Sequence, residues 1–202
     1  QKKKEKNRGE VREKGGRAGV TQVRRADVIC LYKKRGGSIY KEERPYNSID
    51  YRHYDLDGET IYEEGGFVEK IEDMQEVFKK MNIKMKIDSH FEDWNEKKKW
   101  LNHRITINGK EYIIFKNFSS GYGWGEAAQR FAEIMNDQLE LQKSDERFFL
   151  VNAGNDGNAV FLTYAQFKLL DPVLKDPASR PLEVKKWVRN LDKALFLKSL
   201  DW

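Results

Sequence analysis

Hydrophobic and polar positions change period along the chain, and each change predicts an element. "ADVICLYKK" is a compact apolar run that predicts a buried strand, broken at Gly36-Gly37 and resumed by "SIYK". In "YRHYDLDGETIYEE" the pair Asp57-Gly58 suits the positive φ of a type I′ turn, and Tyr54, Leu56, Ile61 and Tyr62 flank it, so a hairpin is expected. Gly65-Gly66 closes that unit. From Ile71 the spacing lengthens to threes and fours through Met74, Val77, Phe78 and Met81, the apolar face of one helix. "IKMKID" then alternates, with Ile83, Met85 and Ile87 against Lys84 and Lys86, and predicts a half-buried strand with a basic outer side.

Ser89 and Glu92 have capping-box spacing, and with Phe91, Trp94, Leu101 and the "EKKKW" run they predict a short charged helix. "HRITINGKEYIIF" holds two alternating runs joined by Asn108-Gly109, a two-residue hairpin. "WGEAAQRFAEIMNDQLELQ" places Trp124, Ala127, Ala128, Phe131, Ile134 and Met135 on one helical face. "RFFLVNAGNDGNAVFLT" reads as two buried strands around a polar turn, and Thr163 with Gln166 opens another helix. Pro172, Pro177 and Pro181 mark a loop, after which Val184, Val188, Leu191 and Leu195 stripe a last amphipathic helix. Hairpins mixed with four or five helices predict an α+β fold, largely antiparallel, rather than a doubly wound parallel sheet.

Charge divides the chain. Its total is +5, yet residues 1 to 35 carry thirteen Lys or Arg against Glu5, Glu10, Glu13 and Asp27, a net +9, which leaves −4 for the other 167 residues. Residues 1–25 have almost no large apolar side chain, so they are expected to form an extended or disordered basic arm. Residues 26–202 are expected to form one α+β domain, with 26–68 and 69–202 as possible sub-lobes. An arm of this kind displaces counterions from phosphates regardless of base sequence, which points to nucleic acid or a nucleoprotein as partner; a solubilising tail is the plain alternative. Lys2, Lys3, Lys4, Arg8, Arg12, Arg17, Arg24 and Arg25 would make those contacts, helped by Lys84, Lys86, Lys185 and Arg189.

No apolar run is long enough to span a bilayer, so membrane insertion is not expected. Cys30 is the sole cysteine, which excludes an internal disulfide and a multi-thiolate zinc site and makes a reducing, cytoplasmic setting the default. The chain starts at Gln1 rather than Met, which fits equally with delivery from a processed precursor.

Three stretches carry candidate chemistry. His53, Asp55 and Asp57 would share one face of a regular strand, an imidazole with two carboxylates suited to hydrolysis, against the plain reading of exposed hairpin residues. His90 with Asp88 and Asp93 offers the same materials, whereas His103, just before the Asn-Gly turn, is expected to be structural. The glycine-rich "SSGYGWG", with Gly121, Tyr122, Gly123 and Trp124, precedes a helix and invites an anion or a stacked base. It lacks the Lys-Ser or Lys-Thr of a Walker loop, and Glu126 already supplies negative charge there, so a hinge with packing aromatics is the stronger expectation. "NAGNDGNAVF" lacks the closing glutamate of a calcium loop. No His-Glu-x-x-His occurs, so no cofactor or metal is expected unless the chain is a nuclease using a divalent ion. The first expectation is thus a non-enzymatic binder of nucleic acid or nucleoprotein. The alternatives are a nuclease-like effector or toxin domain released from a larger protein, and a protein-interaction module.

Overall fold

The computed structural model describes residues 53–95, 97–98, 100–119, 122–152, 157–170, 172–174 and 176–199, with side chains as far as residue 191. The expected arm, the strand expected around Cys30 and its expected break at Gly36-Gly37 lie outside the described residues, as do Gly121 and the centre of the "NAGNDGN" stretch. In chain order the elements are β1 (His53–Asp55), α1 (Gly58–Tyr62), α2 (Gly66–Asp73), α3 (Gln75–Lys80), β2 (Ile87–Asn95), β3 (Trp100–Ile107), β4 (Lys110–Phe118) and α4 (Gly123–Leu141). They continue with β5 (Glu146–Val151), β6 (Asn158–Thr163), α5 (Tyr164–Leu170), β7 (Pro181–Leu182) and α6 (Val184–Ser199). The fold is α+β, with two antiparallel sheets of order β1-β6-β5-β7 and β2-β3-β4. No helix among the described residues is long and apolar enough to cross a membrane.

Helix α4 joins the two sheets. Its apolar face, with Ala127, Phe131, Ala132, Met135 and Leu139 all fully buried, packs into one cluster with Phe148 and Phe161 of the first sheet and Leu101, Ile105 and Ile107 of the second. Adjacent polar residues fasten it to both. Asn136 exchanges two hydrogen bonds with the backbone of Phe148, at 2.9 and 2.7 Å. Asp137 accepts from Lys110 Nζ at 2.6 Å and from the Tyr112 hydroxyl, while buried Gln138 donates to the Ile107 carbonyl and the Tyr112 oxygen. The far face of the first sheet is covered by α5, where Phe149, Val151, Val160, Leu162 and Leu170 form a second cluster with Phe167.

Four sequence expectations need correction. Asp57-Gly58 is a helix start, not a hairpin turn: Asp57 caps α1, its carboxylate accepting from the Glu59 N–H at 2.9 Å and the Thr60 hydroxyl at 3.1 Å. Asp before a helix-forming run satisfies orphan amides as readily as Asp-Gly makes a turn. Residues 87–95 are strand β2 rather than a capped helix; Ser89 bonds across the sheet to Thr106 at 2.9 Å and Glu92 turns inward. Segment 83–86 buries Ile83 and Met85 and exposes Lys84 and Lys86 as its alternation demands, but it forms no strand. Side-chain amides hold it instead: Gln142 pairs with both backbone polar groups of Lys84, and Asn108 accepts from the Lys86 N–H. The helix expected from Ile71 to Met81 breaks at Met74, where Gln75 donates to the Ile71 and Met85 carbonyls.

Pro181, expected in a loop, lies in β7, while several other patterns stand as read. Asn108 and Gly109 take φ values of 50° and 79° in the β3–β4 hairpin, and the Thr163 hydroxyl caps α5 through the Gln166 N–H at 3.2 Å. The stripe of α6 buries Leu191, with Trp187 beside it.

Candidate functional site

Strands β2 and β3 build the site. Alternation sends His90, Glu92 and Trp94 of β2 to the side opposite Phe91 and Asp93, and the antiparallel register sets Glu92 directly across from His103. Two register shifts in the β3–β4 ladder flank His103, which is buried at 3% exposure among Phe67 and Phe115. The Nε2 atoms of His90 and His103 face each other at 3.0 Å. Glu92 Oε2 lies 3.6 Å from His90 Nε2, and Glu92 Oε1 lies 3.8 Å from His103 Nδ1.

The carboxylate is itself held in place. Glu92 Oε2 accepts from the Gly65 N–H at 3.0 Å and Oε1 accepts from the Trp94 indole N–H at 3.0 Å. Gly65, with φ at 82°, closes the loop into α2, so the left-handed glycine delivers its N–H to the edge of the sheet. Burial, with a further contribution from His90, pulls the His103 pKa down to about 4, so this imidazole is neutral near pH 7. The His90 side chain is about a quarter exposed (27%), which opens the cluster to solvent at the strand edge. Among the described residues, this is the group of three or more His, Cys, Asp or Glu whose potential ligand atoms all converge within 4.8 Å.

His53 and Asp55 sit on β1 opposite Val160 and Asn158, and Lys70 donates to the Asp55 carbonyl. Asp57 lies beyond the end of that strand with both carboxylate oxygens engaged in its cap, so the three do not converge as the His90 cluster does. Asp88 is turned to Lys86 at 2.7 Å and to the Gly109 N–H at 2.7 Å, and Asp93 pairs in register with Asn102 on the outer face. Neither joins His90. His90 thus has a carboxylate partner, but it is Glu92.

The glycines of the "YGWG" stretch answer to packing. A Cβ on Gly123 would stand 2.2 Å from the Tyr62 ring, so α4 needs that glycine to approach α1, while one on Gly125 would stand 2.7 Å from the tip of Leu191 and displace it. Trp124 packs against the core and Tyr122 is exposed. The arm cations from Lys2 to Arg25 lie outside the described residues. Lys84 and Lys86 are exposed on one side of their segment; Lys185 and Arg189 flank a shallow groove between α4 and α6 lined also by Gln129, Glu133, Val184 and Val188.

Sequence reasoning missed His103 as a cluster member and Glu92 as its hub. The available signal was the His-x-Glu spacing of residues 90 and 92, a period-two pattern, which the Ser89/Glu92 capping reading masked. No protein-family model matches the chain, and neither a curated protein nor a solved structure is similar to it.

Proposed function

We propose that this chain is a non-enzymatic binding protein that docks on nucleic acid or a nucleoprotein assembly through its cationic N-terminal segment. The observation that carries this reading is the separation of charge: +9 in residues 1 to 35 against −4 in the rest. A body of net negative charge does not draw phosphates by itself, so attraction falls to the segment, and it acts by counterion release without reading bases. Exposed Lys84, Lys185 and Arg189 add local contacts, while Lys86 spends much of its charge on Asp88.

The test is binding of the full chain to labelled single- and double-stranded DNA and RNA across a salt series, beside a variant lacking residues 1–25. The full chain is expected to lose roughly a thousandfold in affinity between about 50 and 200 mM salt, as a protein neutralising six or more phosphates does. Deletion should abolish binding with an unchanged circular dichroism spectrum; retained binding overturns the reading.

A second reading, a nuclease-like effector domain, draws on the paired imidazoles and carboxylate of His90, Glu92 and His103, the usual materials of hydrolysis. Degradation of the probe in the same tubes with a divalent ion present, lost in His90→Ala, would favour it over the first.

A further inference from the structure

We propose that His90, Glu92 and His103 form a three-ligand site for one divalent transition-metal ion of the zinc class at the open edge of the β2-β3-β4 sheet. The inference is independent of whether the chain binds or cleaves nucleic acid. Two imidazole nitrogens and one carboxylate oxygen are the donor set that zinc and its first-row neighbours take, whereas magnesium and calcium prefer all-oxygen sites. A tetrahedral or octahedral ion with bonds of about 2.1 Å sets adjacent donor atoms about 3.0–3.4 Å apart. The Nε2 atoms of His90 and His103 stand 3.0 Å apart, and Glu92 Oε2 stands 3.6 Å from the first of them. All three donors lie within 4.8 Å of one another, so side-chain rotation that draws Glu92 toward the two Nε2 atoms would close them on one ion.

The surroundings are those of a metal site. Glu92 receives one hydrogen bond on each oxygen, from Gly65 N–H and Trp94 Nε1–H, and these fix the carboxylate while leaving lone pairs to spare. His103 is buried with its Nε2 turned to His90, so both Nε2 lone pairs face the same point once whichever ring carries the shared proton holds it on Nδ1 instead. Binding would therefore shift that imidazole to its other tautomer, its proton passing through solvent from Nε2 to Nδ1, and replace the imidazole–imidazole hydrogen bond by two nitrogen–metal bonds. Three protein ligands leave room for water at a fourth position, on the side where His90 meets solvent.

The experiment is calorimetric titration of the full, chelator-stripped chain with zinc, cobalt(II) and magnesium chlorides, for wild type, His90→Ala and Glu92→Gln. Wild type is expected to bind one equivalent of zinc or cobalt, to give the visible d–d absorption of a nitrogen-ligated cobalt ion, and to melt at a higher temperature with zinc than without. Magnesium should show no saturable site. His90→Ala, which removes a partly exposed side chain and spares the core, should retain its circular dichroism spectrum and lose more than about 100-fold in zinc affinity, above the range of outer-shell substitutions. Glu92→Gln should weaken binding in the same direction. Absence of one-to-one binding in wild type, or undiminished affinity in His90→Ala, overturns the proposal and leaves the cluster as a hydrogen-bonded clamp between the Gly65 loop and β2. Metal binding without probe cleavage sustains it.

Discussion

The β1-β6-β5-β7 sheet is covered on both faces, by α4 on one and α5 on the other, while the β2-β3-β4 sheet has one face packed and one face wet. Their spelling differs accordingly. "FFLV" and "AVFL" are apolar at successive positions, because both directions of the pleat meet core. On the other sheet Phe91, Arg104 and Ile113 stand in one row across the outer face, where the Arg104 guanidinium lies 4.6 Å from the Phe91 ring centre, and the inner face carries His90, Glu92 and His103 among its apolar residues. The doubly covered sheet buries side chains on both of its faces. The half-covered one keeps an edge where polar groups can be both held and reached.

The contrast can be broken by substitution. Phe161→Ala, at a fully buried ring that contacts Phe78 and Phe148, should cost about 3–5 kcal/mol of unfolding free energy by chemical denaturation. A much smaller loss would mean that burial on both faces adds little to this sheet. Asn136→Ala removes both bonds that tie α4 to Phe148 and leaves that backbone unpaired, so a loss of about 1–3 kcal/mol, unchanged with pH, is expected.

The matching tie to the second sheet behaves differently. Burial pushes the Asp137 carboxyl up, but Lys110 and the Tyr112 hydroxyl outweigh it and hold the group below its ordinary 3.8. A depressed carboxylate adds stability that is complete above the unfolded value and lost as pH falls through the folded one. The difference between wild type and Asp137→Asn should therefore shrink below about pH 4; because Asp137 is 38% exposed, it should not exceed about 1 kcal/mol at neutrality. A gap that persists into acid would mean that Asp137 acts by shape rather than charge. The smallest effect belongs to the wet face: Ile113→Ala, at 61% exposure, should stay within about 0.5 kcal/mol of wild type.

Local signals carried far in some places and stopped short in others. Asn108-Gly109 was legible because its dihedrals are a property of two residues, and the α4 face because a 3.6-residue period recurs over five turns. Asp57-Gly58 and Ser89/Glu92 were misread because one short pattern serves two structures, and the choice is made by contacts distant in sequence. Glu92, for example, is satisfied by Gly65, 27 residues away. The candidate site was the least legible part. His90 and His103 are joined by the β2–β3 register, and register does not follow from the composition of either strand.

The irregular pairing around His103 has an effect at the opposite side of its sheet. Because the β3–β4 register shifts twice between Leu101 and Arg104, the border strand β4 is bent, with Asn117 at a φ of 49° and its N–H turned back to Asn102. Such a border presents no regular row of amides and carbonyls for another polypeptide to extend, and Lys110, Glu111 and Lys116 add charge along it. The irregular pairing that flanks the inward-facing imidazole thus also works against fibril-like growth along this side of the sheet.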